Sequence, residues 1–76
     1  MKLAIVTPQG RTLMEPVEAV TIPGSEGRFT VLRGHAPLVS AICKGVVRVD
    51  DKEMVVESGM VEVKKDVITI VTEHAQ

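Results

Sequence analysis

The chain has 76 residues, one cysteine, one aromatic ring and a formal net charge of −1. That length predicts one domain, residues 1–76, with a modest core, and a lone cysteine excludes an internal disulfide and fits a reducing compartment. Balanced charge, with Phe29 as the only aromatic residue, argues against the basic, aromatic-lined groove of a single-strand nucleic-acid binder.

At the N-terminus, Leu3-Ala4-Ile5-Val6 stops at Thr7-Pro8, too short a run for a signal-peptide core. Nothing later approaches the roughly 20 apolar residues of a membrane span. About a third of the chain is Val, Ile or Thr, whose branched Cβ atoms favour the pleated surface of a strand. Turn formers recur at short intervals: Pro8-Gln9-Gly10, Pro16, Pro23-Gly24, Arg33-Gly34, Lys44-Gly45, Asp50-Asp51-Lys52, Gly59 and Lys65-Asp66. These breaks predict strands over 2–7, 11–15, 17–22, 28–32, 38–43, 46–50, 53–58, 60–64 and 67–72. The expected fold class is all-β, a flattened antiparallel sandwich of about nine to ten short strands. No breaker-free window keeps a helical period.

Alternation is clear in the last strands: Val61 and Val63 oppose Glu62 and Lys64, and Ile68 and Ile70 oppose Val67, Thr69 and Val71. Ala4-Ile5-Val6, Val46-Val47 and Met54-Val55-Val56 are apolar on both faces. Because a sandwich buries one face of each sheet, these segments point to a docking surface.

The chemistry-bearing residues read mainly as structure. Cys43 and His35 form a conceivable nucleophile–base pair, but no third group orients the histidine. Cys43 is expected to pack as a small apolar residue at a strand end. His35, His74 and Cys43 lack the paired spacing of zinc ligands, and His74 sits in a terminal segment expected to fray. No cofactor is expected. "PGSEG" lacks the following helix and lysine of a phosphate loop and reads as a tight turn. In "RGHAP", Gly34 and Pro37 shape a rigid non-helical corner that displays His35. One segment supports an alternative from another class. "VDDKEMVVES" puts Lys52 at a predicted hairpin apex, as in lipoyl carrier domains, where a lysine after an aspartate is modified.

The stretch "PGSEGRFTVLRGHAPLVSAI" resembles the hallmark segment of the epsilon subunit of F-type ATP synthase. The likeness continues upstream in "IVTPQGRTL" and "VEAVTIPG" and downstream in "GVVRV", "SGMVEV" and "VITIVTE", covering essentially the whole chain. It implies the N-terminal β-sandwich of that subunit, with ten strands. It implies a non-catalytic central-stalk (rotor) role, linking the ring of c subunits to the gamma subunit so that ion translocation is coupled to ATP synthesis. The complex would hold the chain peripherally on the cytoplasmic face of the bacterial inner membrane, or its thylakoid equivalent. By position, Thr7, His35 and Ser40 fall on the gamma-facing side, and Glu26, Gly27 and Arg28 on the turn facing the c ring.

Three departures carry expectations of their own. An acidic residue is usual where this chain has Arg28, so Glu26 becomes the alternative contact. "SGMVEV" has one glycine fewer than usual, which would shift a local bulge. The resemblance stops at Gln76, before the helical hairpin implicated in inhibition and ATP binding, so neither activity is expected of this sequence.

Overall fold

The computed structural model describes residues 1–76 and contains only strands and turns. The strands are β1 (Lys2–Thr7), β2 (Gly10–Met14), β3 (Ala19–Gly24), β4 (Gly27–Leu32) and β5 (Leu38–Ile42), then β6 (Gly45–Val49), β7 (Lys52–Val56), β8 (Gly59–Lys64) and β9 (Val67–Thr72). Every bound lies within two residues of the sequence expectation.

One continuous sheet curls into two facing layers. The first runs β2-β1-β9-β8-β5 and the second β4-β3-β6-β7, with β3 joining them. β3 meets β5 at Gly24↔Ile42 and β6 at Val20↔Val49 and Thr21↔Arg48. The chain from Leu38 to Val49 is therefore a bent ribbon that changes layer at Cys43–Lys44. All pairings are antiparallel except β1 with β9, which brings the two ends of the sequence side by side in parallel. The opposite edge closes through the C-terminus. Val55 N donates to Gln76 O at 2.7 Å, Gln76 N to Val55 O at 2.9 Å, and Glu57 N to His74 O at 3.1 Å. Residues 74–76 thus act as a short tenth strand against β7, anchored by the bridge Val56↔Ala75, so the expected fraying at His74 is corrected.

The period-two pattern explains the core. Leu3 and Ile5, Ile68 and Ile70, and Val61 and Val63 face inward from the first layer. Val20 and Ile22, Val31, and Val47 and Val49 face them from the second. Branched aliphatics fill this space without aromatic help beyond the partly buried Phe29. The one buried hydroxyl, Thr72 Oγ1, donates to Glu57 O at 3.0 Å, so its burial leaves no polar atom unpaired.

Gly59 opens β8 in the tightest spot. A Cβ there would collide with the Val71 carbonyl oxygen, so only glycine fits without a backbone shift. β8 keeps an unbroken register from Gly59↔Thr72 to Lys64↔Val67, with Met60 opposite Val71. The missing glycine at Met60 therefore shifts no bulge, which corrects that expectation.

Two hairpin turns carry an aspartate at positive φ, Asp50 (φ 55) and Asp66 (φ 61), and each carboxylate reaches a distant loop. Asp50 Oδ1 accepts from Glu18 N at 3.0 Å and Ala19 N at 2.9 Å, fixing the entry to β3. These are charge-assisted bonds in partial contact with water. Asp50→Gly, which keeps the turn angle but removes the acceptor, should lower unfolding free energy by about 1 kcal/mol, with Asp50→Asn near neutral. Urea midpoints of the two variants would check this. The three ion pairs, Arg33–Glu18, Lys44–Glu57 and Arg48–Glu53, join exposed side chains and contribute at most about 1 kcal/mol each.

Candidate functional site

The outer face of the first layer is the feature that the fold alone does not require. Residues level in neighbouring strands share a face. Val6, Val71, Met60 and Ala41 are level across β1, β9, β8 and β5 and form one apolar row on the outside. The next row is Leu13, Ala4, Thr69, Glu62 and Val39, and Val67 sits in the third between Lys2 and Lys64. Five of the seven large exposed hydrophobic side chains of the molecule lie here: Val39 (66% exposed), Leu13, Val71, Met60 and Val67. Charges border the face at Lys2, Arg11 and Lys64, and Glu62 interrupts it.

The outer face of the second layer differs. Thr21 and Thr30 hydroxyls meet at 2.9 Å, Arg48 pairs with Glu53 at 3.1 Å, and Arg28 lies across β6. Only Leu32 and Val55 are large and exposed there. Exposed apolar side chains are thus gathered on one side of the molecule, which makes that side the candidate docking face.

Of the segments expected to dock, Val6 is half-exposed on the apolar face and Ala4, on the same side, is buried, whereas Val46 and Val55 lie on the polar face. Val39, Met60 and Val71 were not singled out. The signal was present in "VITIV" and "LVSAI", where both alternating sets are largely apolar.

Glu26 occupies the two-residue tip Ser25-Glu26 of the β3–β4 hairpin, which closes at Gly24↔Gly27. The tip lies along β5, with Ser25 N donating to Ala41 O at 3.0 Å. Arg28, opposite Pro23, folds back so that Nη1 donates to Val46 O at 3.0 Å. Glu26 has no ion-pair partner. Arg28 is thus engaged within the second layer, and Glu26 is the free charge at the tip.

Thr7, His35 and Ser40 do not form a cluster. Thr7 lies past the Val6–Val71–Met60–Ala41 row, while His35 precedes Leu38, which is level with Leu3 through β8 and β9 at the other end of the strands. Ser40 lies between them in the row of Ile5, Ile70 and Val61, so its half-buried side chain points with the core set. Its hydroxyl donates to Ala41 O at 2.9 Å. His35 closes a turn through its backbone N to Leu32 O at 3.0 Å, and Nδ1 donates to Ala36 O at 2.7 Å.

Two expectations are corrected. Cys43 is exposed at the layer change and lies beyond β5, with its backbone N donating to Pro23 O at 2.8 Å. Lys52 is not a hairpin apex: it is the first residue of β7, paired with Val49, and the turn is Asp50-Asp51. That removes the geometric basis of the carrier-domain alternative.

Comparison with known proteins points the same way. Residues 1–76 match the family described as the β-sandwich domain of the ATP synthase delta/epsilon chain. The ATP synthase epsilon chain of Magnetococcus marinus is 43% identical over 77 residues, covering 96% of this chain and 56% of the relative. That of Sulfurovum is 44% identical over 80 residues, covering 99% and 62%. A chain in the cryo-EM structure of the Euglena gracilis mitochondrial ATP synthase (OSCP, F1 and c-ring) superposes with a TM-score of 0.87 at 31% identity, over 97% of this chain and 51% of that one. A central-stalk and c-ring structure from Tetrahymena thermophila shares the fold, with a TM-score of 0.86 at 11% identity. The chain spans 56–63% of the length of the first three curated relatives.

Proposed function

The chain belongs to the family of ATP synthase delta/epsilon-chain β-sandwich domains, and from that premise we propose that it is a non-catalytic central-stalk component of an F-type ATP synthase. In this reading residues 1–76 act as one rigid unit between the gamma subunit and the ring of c subunits. The complex holds it peripherally at the membrane, on the cytoplasmic face in a bacterium; no helix of the molecule is long and apolar enough to cross a bilayer.

The observation that carries the proposal is the apolar row Val6–Val71–Met60–Ala41 on a sandwich whose two layers are tied together at β3–β5 and at β7–Gln76. A part that transmits torque must deform little under load. A sheet whose two layers are joined by hydrogen bonds at β3–β5 and at β7–Gln76 resists sliding, because either layer moves only by breaking those ladders. The apolar face supplies the area that a permanent partner would bury, and gamma is the partner assigned to it. Thr7 and His35 stand at opposite ends of the same layer and in this reading mark the length of the contact along the strands, while Ser40 between them turns its side chain to the inner row and adds nothing to the outer face.

The c-ring contact is assigned to the turn Glu26–Arg28, with Glu26 making it. Arg28 is occupied by Val46 O, and Glu26 is free to meet a basic loop. Charges at an interface steer register and are felt most at low salt. In reconstituted enzyme with its cognate c ring, Glu26→Lys should lower ATP-driven ion pumping severalfold at low salt, and Arg28→Glu should change it little. The reverse order would move the contact to Arg28. No effect of either would remove this turn from the ring.

A further inference from the structure

We infer that Asp66, on the turn between β8 and β9, is a positioning residue for the His35 corner, holding it in the shape that docks. The inference rests on the gamma-docking reading above and deepens it.

The corner is a turn from Leu32 to His35, closed by His35 N donating to Leu32 O at 3.0 Å, with Gly34 at φ 82. Such a turn leaves the Gly34 N–H outside its own hydrogen bond. That donor goes to Asp66 Oδ1 at 2.8 Å, thirty-two residues along the chain. The backbone of Asp66 is used as well, because its carbonyl accepts from Lys2 N at 3.0 Å and so ties the turn to the start of β1. Asp66 therefore joins three segments: the first strand, the last hairpin and the corner.

The turn carries the mark of that task. Lys65 and Asp66 both sit at positive φ, 52 and 61, where glycine or asparagine would be easier. Asparagine would keep the angle and a neutral acceptor. Aspartate keeps the angle and gives Gly34 N–H a charged acceptor, the stronger kind of bond. Beyond its own turn bond and the Nδ1–Ala36 O bond, both internal to the corner, only the exposed Arg33–Glu18 ion pair also ties it to the rest of the chain, and such a pair is weak. Arg33, Gly34, Ala36 and Pro37 are exposed, and none belongs to a strand. Releasing Gly34 N–H would free residues 33–37 to rotate about Gly34, carrying His35 with them.

The test compares Asp66→Gly, Asp66→Asn and the control Lys65→Gly in the full chain. Glycine at 66 tolerates the turn angle but removes the acceptor; Lys65→Gly relaxes the same turn and leaves the acceptor in place. Amide exchange at Gly34 and affinity for the purified cognate gamma subunit are measured on each, with thermal melts identifying the folded fraction. In Asp66→Gly, Gly34 exchange should rise about tenfold, and gamma affinity should fall about three- to tenfold, while the melting point falls by no more than about 4–8 °C and the chain stays folded at the assay temperature. Asp66→Asn should restore most of both, and Lys65→Gly should alter neither. Unchanged Gly34 exchange in Asp66→Gly overturns the inference at its geometric root. Faster exchange with unchanged gamma affinity overturns it at its functional end. If the unmodified chain does not bind gamma, the docking reading itself has failed and takes this inference with it.

Discussion

Ile70→Ala should lower the melting point by roughly 10–40 °C and remove a large part of the chain's stability. Ile70 lies in the middle of β9, flanked by β1 on one side and β8 on the other, and is fully buried. It is level with Ile5 and Val61, so its truncation opens a void at the centre of the first layer's inner row. Deleting a buried isoleucine down to alanine costs about 2–5 kcal/mol, part transfer and part cavity. A sandwich of this size has about 5 kcal/mol in hand, and each kcal/mol is worth about 4–8 °C in melting temperature. The neighbouring residue is the control. Val71 points outward and is 49% exposed, so Val71→Ala should stay within about 0.5 kcal/mol. Calorimetry on the two variants checks the alternation directly, because one residue along the strand separates a strongly destabilising mutation from a silent one.

The second large effect concerns the outer face. Met60→Glu and Met60→Lys should each weaken gamma binding by about a hundredfold or more while the fold survives. Met60 is 46% exposed and sits between Val71 and Ala41 in the apolar row. In the free chain a charge there stays in water, and the strand loses under about 1 kcal/mol of propensity. In the complex the same charge would be stripped of water without a partner, a penalty of several kcal/mol. Using both signs matters. If apolar burial drives docking, both variants fail alike; if charge steering drives it, one fails and the other does not. Ser40→Trp, the substitution that the sequence alone would suggest for this purpose, is less clean, since Ser40 lies in the inner row with Ile5, Ile70 and Val61 and its enlargement strains the core.

What was legible in the sequence was whatever is written locally. The turn within "PGSEG", the turn Lys65-Asp66 and the alternation of "MVEVK" and "VITIV" give strands and inward faces, since period two follows from the pleat itself, although the tip shortened to Ser25-Glu26 only in the fold. The parallel pairing of β1 with β9 was not legible. It joins residues at opposite ends of the sequence, and nothing in Leu3 or Ile68 names the other. The layer change at Cys43–Lys44 was hidden for the same reason. "LVSAIC" reads as an unbroken strand, and only the pairing of β3 with both β5 and β6 shows the bend that exposes Cys43. The turn near Lys52 was placed one residue late, because Asp50 adopts the positive φ that turns the chain and Lys52 already pairs with Val49. The docking face was half visible. Val67 and Val71 were read as opposing Ile68 and Ile70, but which alternating set faces solvent depends on the second layer.

In the proposed function this sandwich docks on the gamma subunit through the outer face of its first layer. A titration calorimetry measurement of the unmodified chain against purified cognate gamma tests it most directly, with Met60→Glu run alongside. The expected result is a one-to-one complex with a Kd of about 1 μM or tighter, lost on Met60→Glu while that variant keeps its melting transition. Absence of binding at tens of micromolar, or equal binding by the folded Met60→Glu variant, would contradict it.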